Sequence, residues 1–230
     1  MRPLILVFFL FIILMDSYFY GQSLHHYRYI VEPLLIPSLF LYYLLSSKKR
    51  TTLVLLAFLF VWLGDVFLMI ERSPIFLQWA VFFYWIMQLC LLAAFAKFWK
   101  LYSIKAHFLG LLLYGSYLAV FLNHVYASLG EMKLHGLVYG LTLSIFGSIS
   151  IMNLLINASK KNYLLCIGIL IFSIRDVFLT YNKKYFNEEV FTFSIPILHG
   201  IGFFLIIRAF LYFEEQQMEP EKISEFKLER

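Results

Sequence analysis

The chain has 230 residues, of which 62% are hydrophobic and 14% charged, with 26 Phe, 16 Tyr and 4 Trp. A water-soluble domain carries about a quarter charged residues, so a mean hydropathy of +0.79 excludes a single soluble core and marks an integral, multi-pass membrane protein. The formal net charge of +5 arises from short basic clusters between apolar runs, not from one face or stripe, which argues against a nucleic-acid partner.

A membrane-crossing helix needs about 20 apolar residues. From the N-terminus, eight such runs are legible, at 3–21, 30–46, 52–70, 75–96, 104–122, 134–157, 163–181 and 190–213. The first follows Arg2 as the apolar run of a secretory leader would, but Asp16 interrupts it and no small-x-small cleavage site follows, so it is expected to stay as a span. The breaks between the later runs are short and polar: Ser46-Ser47-Lys48-Lys49-Arg50, Glu71-Arg72-Ser73-Pro74, the stretch from Lys97 to Lys105, Glu131-Met132-Lys133, Ser159-Lys160-Lys161-Asn162 and Asn182-Lys183-Lys184. They leave no room for a soluble domain. The expected fold class is therefore all-α, a polytopic bundle of eight transmembrane helices over 1–213, with a charged cytoplasmic tail over 214–230 that is mobile or helical at the membrane surface.

With eight spans, twelve Lys and Arg residues fall on one side of the membrane, among them Arg2, Lys48 and Lys160, and five on the other, among them Arg28 and Lys133. The positive-inside rule then predicts that both termini are cytoplasmic, in the plasma (inner) membrane. Asp65-Val66-Phe67-Leu68 in the third span recurs as Asp176-Val177-Phe178-Leu179 in the seventh. A parallel 4+4 duplication would produce such a recurrence, as would chance in a chain rich in Phe and Leu.

Ionisable groups inside spans are costly, and a functional site is their default explanation. Asp65 and Asp176 each lie about 13 residues into an outward-running helix, about 20 Å from its cytoplasmic end. Asp16 near the outer end of the first span, Glu32 opening the second, Arg175 beside Asp176, and His124 ending the fifth share that depth. A polar cavity toward the extracytoplasmic leaflet would keep them solvated or paired. Asp65 stands among Trp62, Leu63, Val66, Phe67, Leu68 and Met69, with no nearby residue in sequence to share its charge. Helix neighbours point about 100° apart, so Arg175 is expected to face Glu32 or a lipid phosphate in preference to Asp176. Gln88 and His199, nearer midplane, suit helix-to-helix hydrogen bonds or contacts to a substrate.

His199 is the only histidine well inside a span, so a zinc site lacks its usual histidine ligands and no metal is expected. No Walker loop, GxGxxG or CxxC is present, which removes nucleotide cofactors and thiolate metal sites. Cys90 and Cys166 sit in apolar runs as packing residues. The absence of a GxSxG elbow leaves acyl-enzyme ester hydrolysis without support. Leu63-Gly64-Asp65 shares part of the presenilin-type protease motif, but Trp62 replaces its first glycine and the later Pro-Ala-Leu element is missing. Two carboxyl groups in one dry site tend to hold a single proton between them. That arrangement suits acid-catalysed C–O cleavage through an oxocarbenium-like state, with one carboxyl as acid and the other as anion.

The order Glu32-Pro33-Leu34, Leu63-Gly64-Asp65, Phe172-Ser173-Ile174-Arg175-Asp176 and Phe204-Leu205-Ile206-Ile207-Arg208 resembles the YhhN-type lysoplasmalogenase family over nearly the whole chain. The resemblance implies an eight-span hydrolase that cleaves the vinyl-ether bond of a lysophospholipid to a fatty aldehyde and a glycerophospho-alcohol, with no cofactor and with membrane lipids as its surroundings. It further implies Asp65 and Asp176 as the catalytic pair, and Glu32, Arg175, Gln88 and His199 as substrate-binding residues. The chain departs from the family pattern where Glu32 replaces a lysine, Arg175 a serine, and His199 with Phe203 a tyrosine and glutamine. Two of these departures read as a cation moved from position 32 to position 175, so Glu32 and Arg175 are expected to pair. The competing class is a non-catalytic lipid-binding protein or a small-solute or proton transporter, which also contain buried Asp, Glu and Arg.

Overall fold

The computed structural model describes residues 2–70, 74–96, 104–125, 130, 132–181 and 189–228. Among them eight helices follow one another: α1 (Arg2–Gly21), α2 (His25–Ser46), α3 (Thr52–Ile70), α4 (Pro74–Ala96), α5 (Ile104–Val125), α6 (Lys133–Ile156), α7 (Lys160–Tyr181) and α8 (Glu189–Leu228). The breaks at Arg72, Lys100, Glu131 and Lys183, and the His124 imidazole expected in the polar layer, lie outside the described residues.

Helix is the form these runs must take, because hydrocarbon offers backbone N–H and C=O groups no other partner. Seven of the helices are long and apolar enough to cross a membrane, and α5 contributes a shorter apolar stretch, Gly110–Val120. The chain is therefore an all-α, multi-pass membrane protein. The largest departure at a helix start is α2, which begins at His25, ahead of the expected span, and takes Arg28 into the helix.

Helices adjacent in sequence pack in pairs, α1 on α2, α3 on α4, α5 on α6 and α7 on α8, while α8 also lies against α1 and α2. Lipid tails are as apolar as leucine, so close packing rather than water exclusion holds helices together in a bilayer. α7 and α8 show this at Gly168 and Gly202, where a Cβ on Gly168 would stand 2.9 Å from the Gly202 carbonyl oxygen and one on Gly202 3.2 Å from that of Gly168. Many large apolar side chains are exposed, among them Leu4, Val7, Phe11 and Leu14 of α1, while Asp16, Glu32, Asp65, Arg175 and Glu214 are buried.

α2 carries Pro33 and Pro37 in its interior. Pro37 has no N–H to give the carbonyl four residues back, and that carbonyl, of Pro33, instead accepts a 3.0 Å hydrogen bond from Trp62 Nε1 of α3. The gap in one helix thus becomes a bond to the next.

At one end of the bundle α8 is fastened to the α2–α3 turn. The buried Glu214 carboxylate accepts from Tyr43 Oη at 2.6 Å, Ser47 Oγ at 2.6 Å and the Thr51 N–H at 3.1 Å. The tail over 214–230, expected to be mobile or helical at the membrane surface, is helical as far as Leu228 as the end of the 40-residue α8, and its first residue, Glu214, is buried in the bundle.

Candidate functional site

The other end holds a cavity of about 280 Å³, enclosed by α1, α2, α3, α7 and α8, and the polar residues expected in one layer largely converge on it. Asp16, Arg28, Glu32, Asp65, Arg175 and His199 all line it.

Two charged clusters build its walls. In the first, Arg28 of α2 donates from Nε to Asp16 Oδ1 at 3.1 Å and from Nη2 to Glu32 Oε1 at 2.9 Å. Arg28 and Glu32 are four residues apart and so share a helix face, while the Asp16 contact ties α1 to α2. The guanidinium also lies 3.6 Å over the Tyr20 ring, a cation–π contact that fixes its plane.

The second cluster centres on Asp65 of α3. Its Oδ1 accepts from the Tyr84 hydroxyl of α4, and its carboxylate lies 3.1 Å from His199 Nε2 of α8. Arg175 of α7 donates from Nη2 to Tyr84 Oη at 3.0 Å and from Nη1 to Asp176 Oδ1 at 2.8 Å. Asp176 Oδ2 in turn accepts from Tyr139 Oη of α6 at 2.6 Å. A continuous chain therefore runs Asp65, Tyr84, Arg175, Asp176, Tyr139 across four helices. Asp65 faces the cavity, while Asp176 stands behind Arg175 and does not line it.

Three expectations are corrected here. Arg175 pairs with its own neighbour Asp176 and with Tyr84, while Glu32 pairs with Arg28, so the partnership of Glu32 with Arg175 is not formed. The Cα–Cβ directions of adjacent helix residues diverge, but the arginine stem is long enough to fold its fork back onto the aspartate beside it. Asp65 does have groups to share its charge, Tyr84 and His199, both supplied by other helices. Gln88 is buried on α4 away from the cavity, and neither of its amide atoms has a hydrogen-bond partner among the described residues, so the helix-to-helix bond expected of it is not made.

Sequence reasoning missed Arg28, Tyr84 and Tyr139. The Arg28 to Glu32 spacing was a usable signal, obscured by starting the span at residue 30. The two tyrosines gave none, being scattered among 16 of their kind.

Three buried atoms of the cavity wall are left without a protein partner: Glu32 Oε2, Arg175 Nε and His199 Nδ1. Buried polar atoms are nearly always hydrogen-bonded, so an acceptor, a donor and a titratable nitrogen are left for water or a ligand. Across both clusters four carboxyl groups face two guanidiniums. In a low-dielectric site such an excess is met by protons or by a cationic ligand group. Such a site can hold a polar headgroup and carry an acidic proton next to lipid. Among the described residues no group of three or more His, Cys, Asp or Glu is placed to hold a metal ion.

The model of the YhhN family matches residues 27–210, from α2 into α8. No curated protein and no solved structure matches the chain.

Proposed function

The chain belongs to the YhhN family, and on that premise we propose that it is a lysoplasmalogenase-like membrane hydrolase, cleaving the vinyl-ether bond of an alkenyl lysophospholipid with Asp65 and Asp176. The observation that carries this reading is the placement of Asp65, with His199 beside it, in the wall of a charged cavity inside an apolar bundle.

Vinyl-ether hydrolysis begins with proton transfer to the carbon distal to oxygen, which leaves an oxocarbenium ion on the proximal carbon. Water adds there to give a hemiacetal, and its collapse releases the aldehyde and the glycerol hydroxyl, with one water consumed overall. The slow step needs a strong acid in a dry site and an anion to stabilise the cation. In this reading the Asp65–His199 pair delivers the proton and faces the oxocarbenium. Asp176 holds Arg175, and through Tyr84 sets the hydrogen bonding of Asp65. The unpartnered Arg175 Nε and the Arg28 guanidinium suit the headgroup phosphate, and the free Glu32 Oε2 suits a headgroup donor. A parallel 4+4 origin remains part of the proposal, supported by the repeated Asp-Val-Phe-Leu alone.

The deciding experiment is aldehyde release from alkenyl lysophospholipid by the purified protein. Asp65→Asn should lower kcat by about 10²–10⁴-fold, the range for loss of a general acid. Asp176→Asn should lower it too, and the double variant should be little worse than Asp65→Asn, as for residues acting as a unit. Full activity in Asp65→Asn would end the mechanism. A wild type that binds lysophospholipid but releases no aldehyde would turn the reading to a non-catalytic lipid-binding protein.

A further inference from the structure

At the end of the bundle away from the cavity stands a pair of cations that the chemistry above does not use. Arg208 of α8 donates from Nη1 to Tyr42 Oη at 2.6 Å and from Nη2 to Tyr212 Oη at 3.3 Å. Its Cζ lies 5.4 Å from the Tyr212 ring centroid, and Lys160 Nζ, on the first residue of α7, lies 5.1 Å from the same centroid. Two positive groups from different helices therefore share one phenol.

Neither has a carboxylate within ion-pair distance among the described residues. The acid nearest in sequence, Glu214, has both oxygens taken by Tyr43, Ser47 and Thr51. Phenols accept hydrogen bonds but bring no negative charge. A guanidinium in a span without a counter-charge is costly, and such residues are normally paired. Helical rise sets the depth: Arg208 is nine residues past His199 and Lys160 fifteen before Arg175, about 14 and 22 Å from the cavity level along their helices. Against a hydrocarbon core about 30 Å thick, Lys160 stands toward the opposite interface, and the Arg208 stem extends from short of it toward the same Tyr212.

We propose that Arg208 and Lys160, gathered around Tyr212, bind the phosphate of an anionic phospholipid at the membrane surface opposite the cavity. The planar guanidinium fork matches a phosphate in two-point contact. Lys160 adds a compact charge, and the free N–H groups of the first turn of α7 add partial positive charge on the same side. Exposed Lys48 and Lys49 on the α2–α3 turn enrich this end in positive charge. Tyr212, half-buried beside the two cations, is an aromatic residue of the kind membrane interfaces favour, which points to a lipid-borne phosphate in preference to a soluble one.

The test is lipid retention and thermal protection of the full chain purified in detergent. Three additives are compared: phosphatidylglycerol, phosphatidylcholine and inorganic phosphate. The expected result is preferential retention of phosphatidylglycerol by the wild type, weakened about fivefold by Arg208→Gln and about fivefold by Lys160→Gln, as for roughly 1 kcal/mol per basic residue at an anionic surface. Lys160 is exposed at a helix start, so its variant tests the site even where Arg208→Gln does not fold. Tyr212→Phe, which keeps the ring and both cations, should retain most of the binding. Equal retention of both lipids, unchanged by Lys160→Gln, overturns the site. Protection by inorganic phosphate equal to that by phosphatidylglycerol overturns the lipid as its ligand.

Discussion

Glu32 illustrates how one side chain divides its chemistry. Its Oε1 is held by Arg28, and its Oε2 is buried with nothing from the protein to accept from. Glu32→Gln removes the charge, leaves Arg28 bonded to Asp16, and turns the headgroup acceptor of the proposed function into an amide. The expected outcome is a rise in KM for alkenyl lysophospholipid with kcat changed far less, read from initial rates of aldehyde release, because a binding contact equal in ground and transition states acts on KM alone. An equal fall in kcat would place Glu32 in the chemical step. Glu214 makes the opposite case, since both its oxygens accept from groups of the protein. Glu214→Ala leaves Tyr43 and Ser47 buried without their acceptor, and should cost about 2–6 kcal/mol, or about 1–3 per group left unpaired. Unfolding in graded denaturing detergent should show this as an earlier transition, with the substrate preference of the folded fraction unchanged.

For a helix, the consequences of sequence are clearest in α2. Pro37 withholds the N–H that Pro33 O would otherwise receive, and Trp62 replaces it. Trp62→Phe should therefore destabilise by about 1 kcal/mol in the natural chain, the usual net value of one hydrogen bond. In a Pro37→Ala background the helix supplies its own N–H, and the same substitution should cost close to nothing beyond its change in packing. A double-mutant cycle on unfolding free energies reads the difference directly, and a cycle that closes with no coupling would dismiss the compensation. The same helix shows where sequence reading stops. The apolar runs located the helices because a bilayer demands length and apolarity together, but they left helix rotation open, since nearly every face of these helices is apolar. Rotation decides who meets whom. Asp65, Glu32, Arg175, Asp176 and His199 stood out as ionisable groups in lipid, while Tyr84 and Tyr139, the partners of Asp65 and Asp176, come from faces that only packing selects. Arg28 and Glu214 were read as a loop residue and a tail residue because hydropathy ends a helix where its apolar run ends, and these helices do not.

Across the whole molecule, the eight crossings read from the sequence would put twelve Lys and Arg on one side of the membrane and five on the other. With the proposed eight crossings, reporter fusions after Lys49 and after Arg230 should both score cytoplasmic and a fusion at Glu131 external. A cytoplasmic score at Glu131 would require α5 not to cross. The cavity would then open toward the extracytoplasmic leaflet, and the site around Arg208 would meet the leaflet where anionic lipid is concentrated. α8 links the two ends. His199 holds Asp65 near one end, and fifteen residues later Glu214 is gripped by three donors near the other, about 22 Å along the axis. A slip of one residue would turn both side chains by about 100° and break both attachments at once. The helix is thus a rod pinned in two collars, with no freedom to slide. In a bilayer thinner or thicker than its apolar belt, the protein must tilt as a block or deform the lipid around it, and the cavity keeps its shape while its depth beneath the headgroups changes.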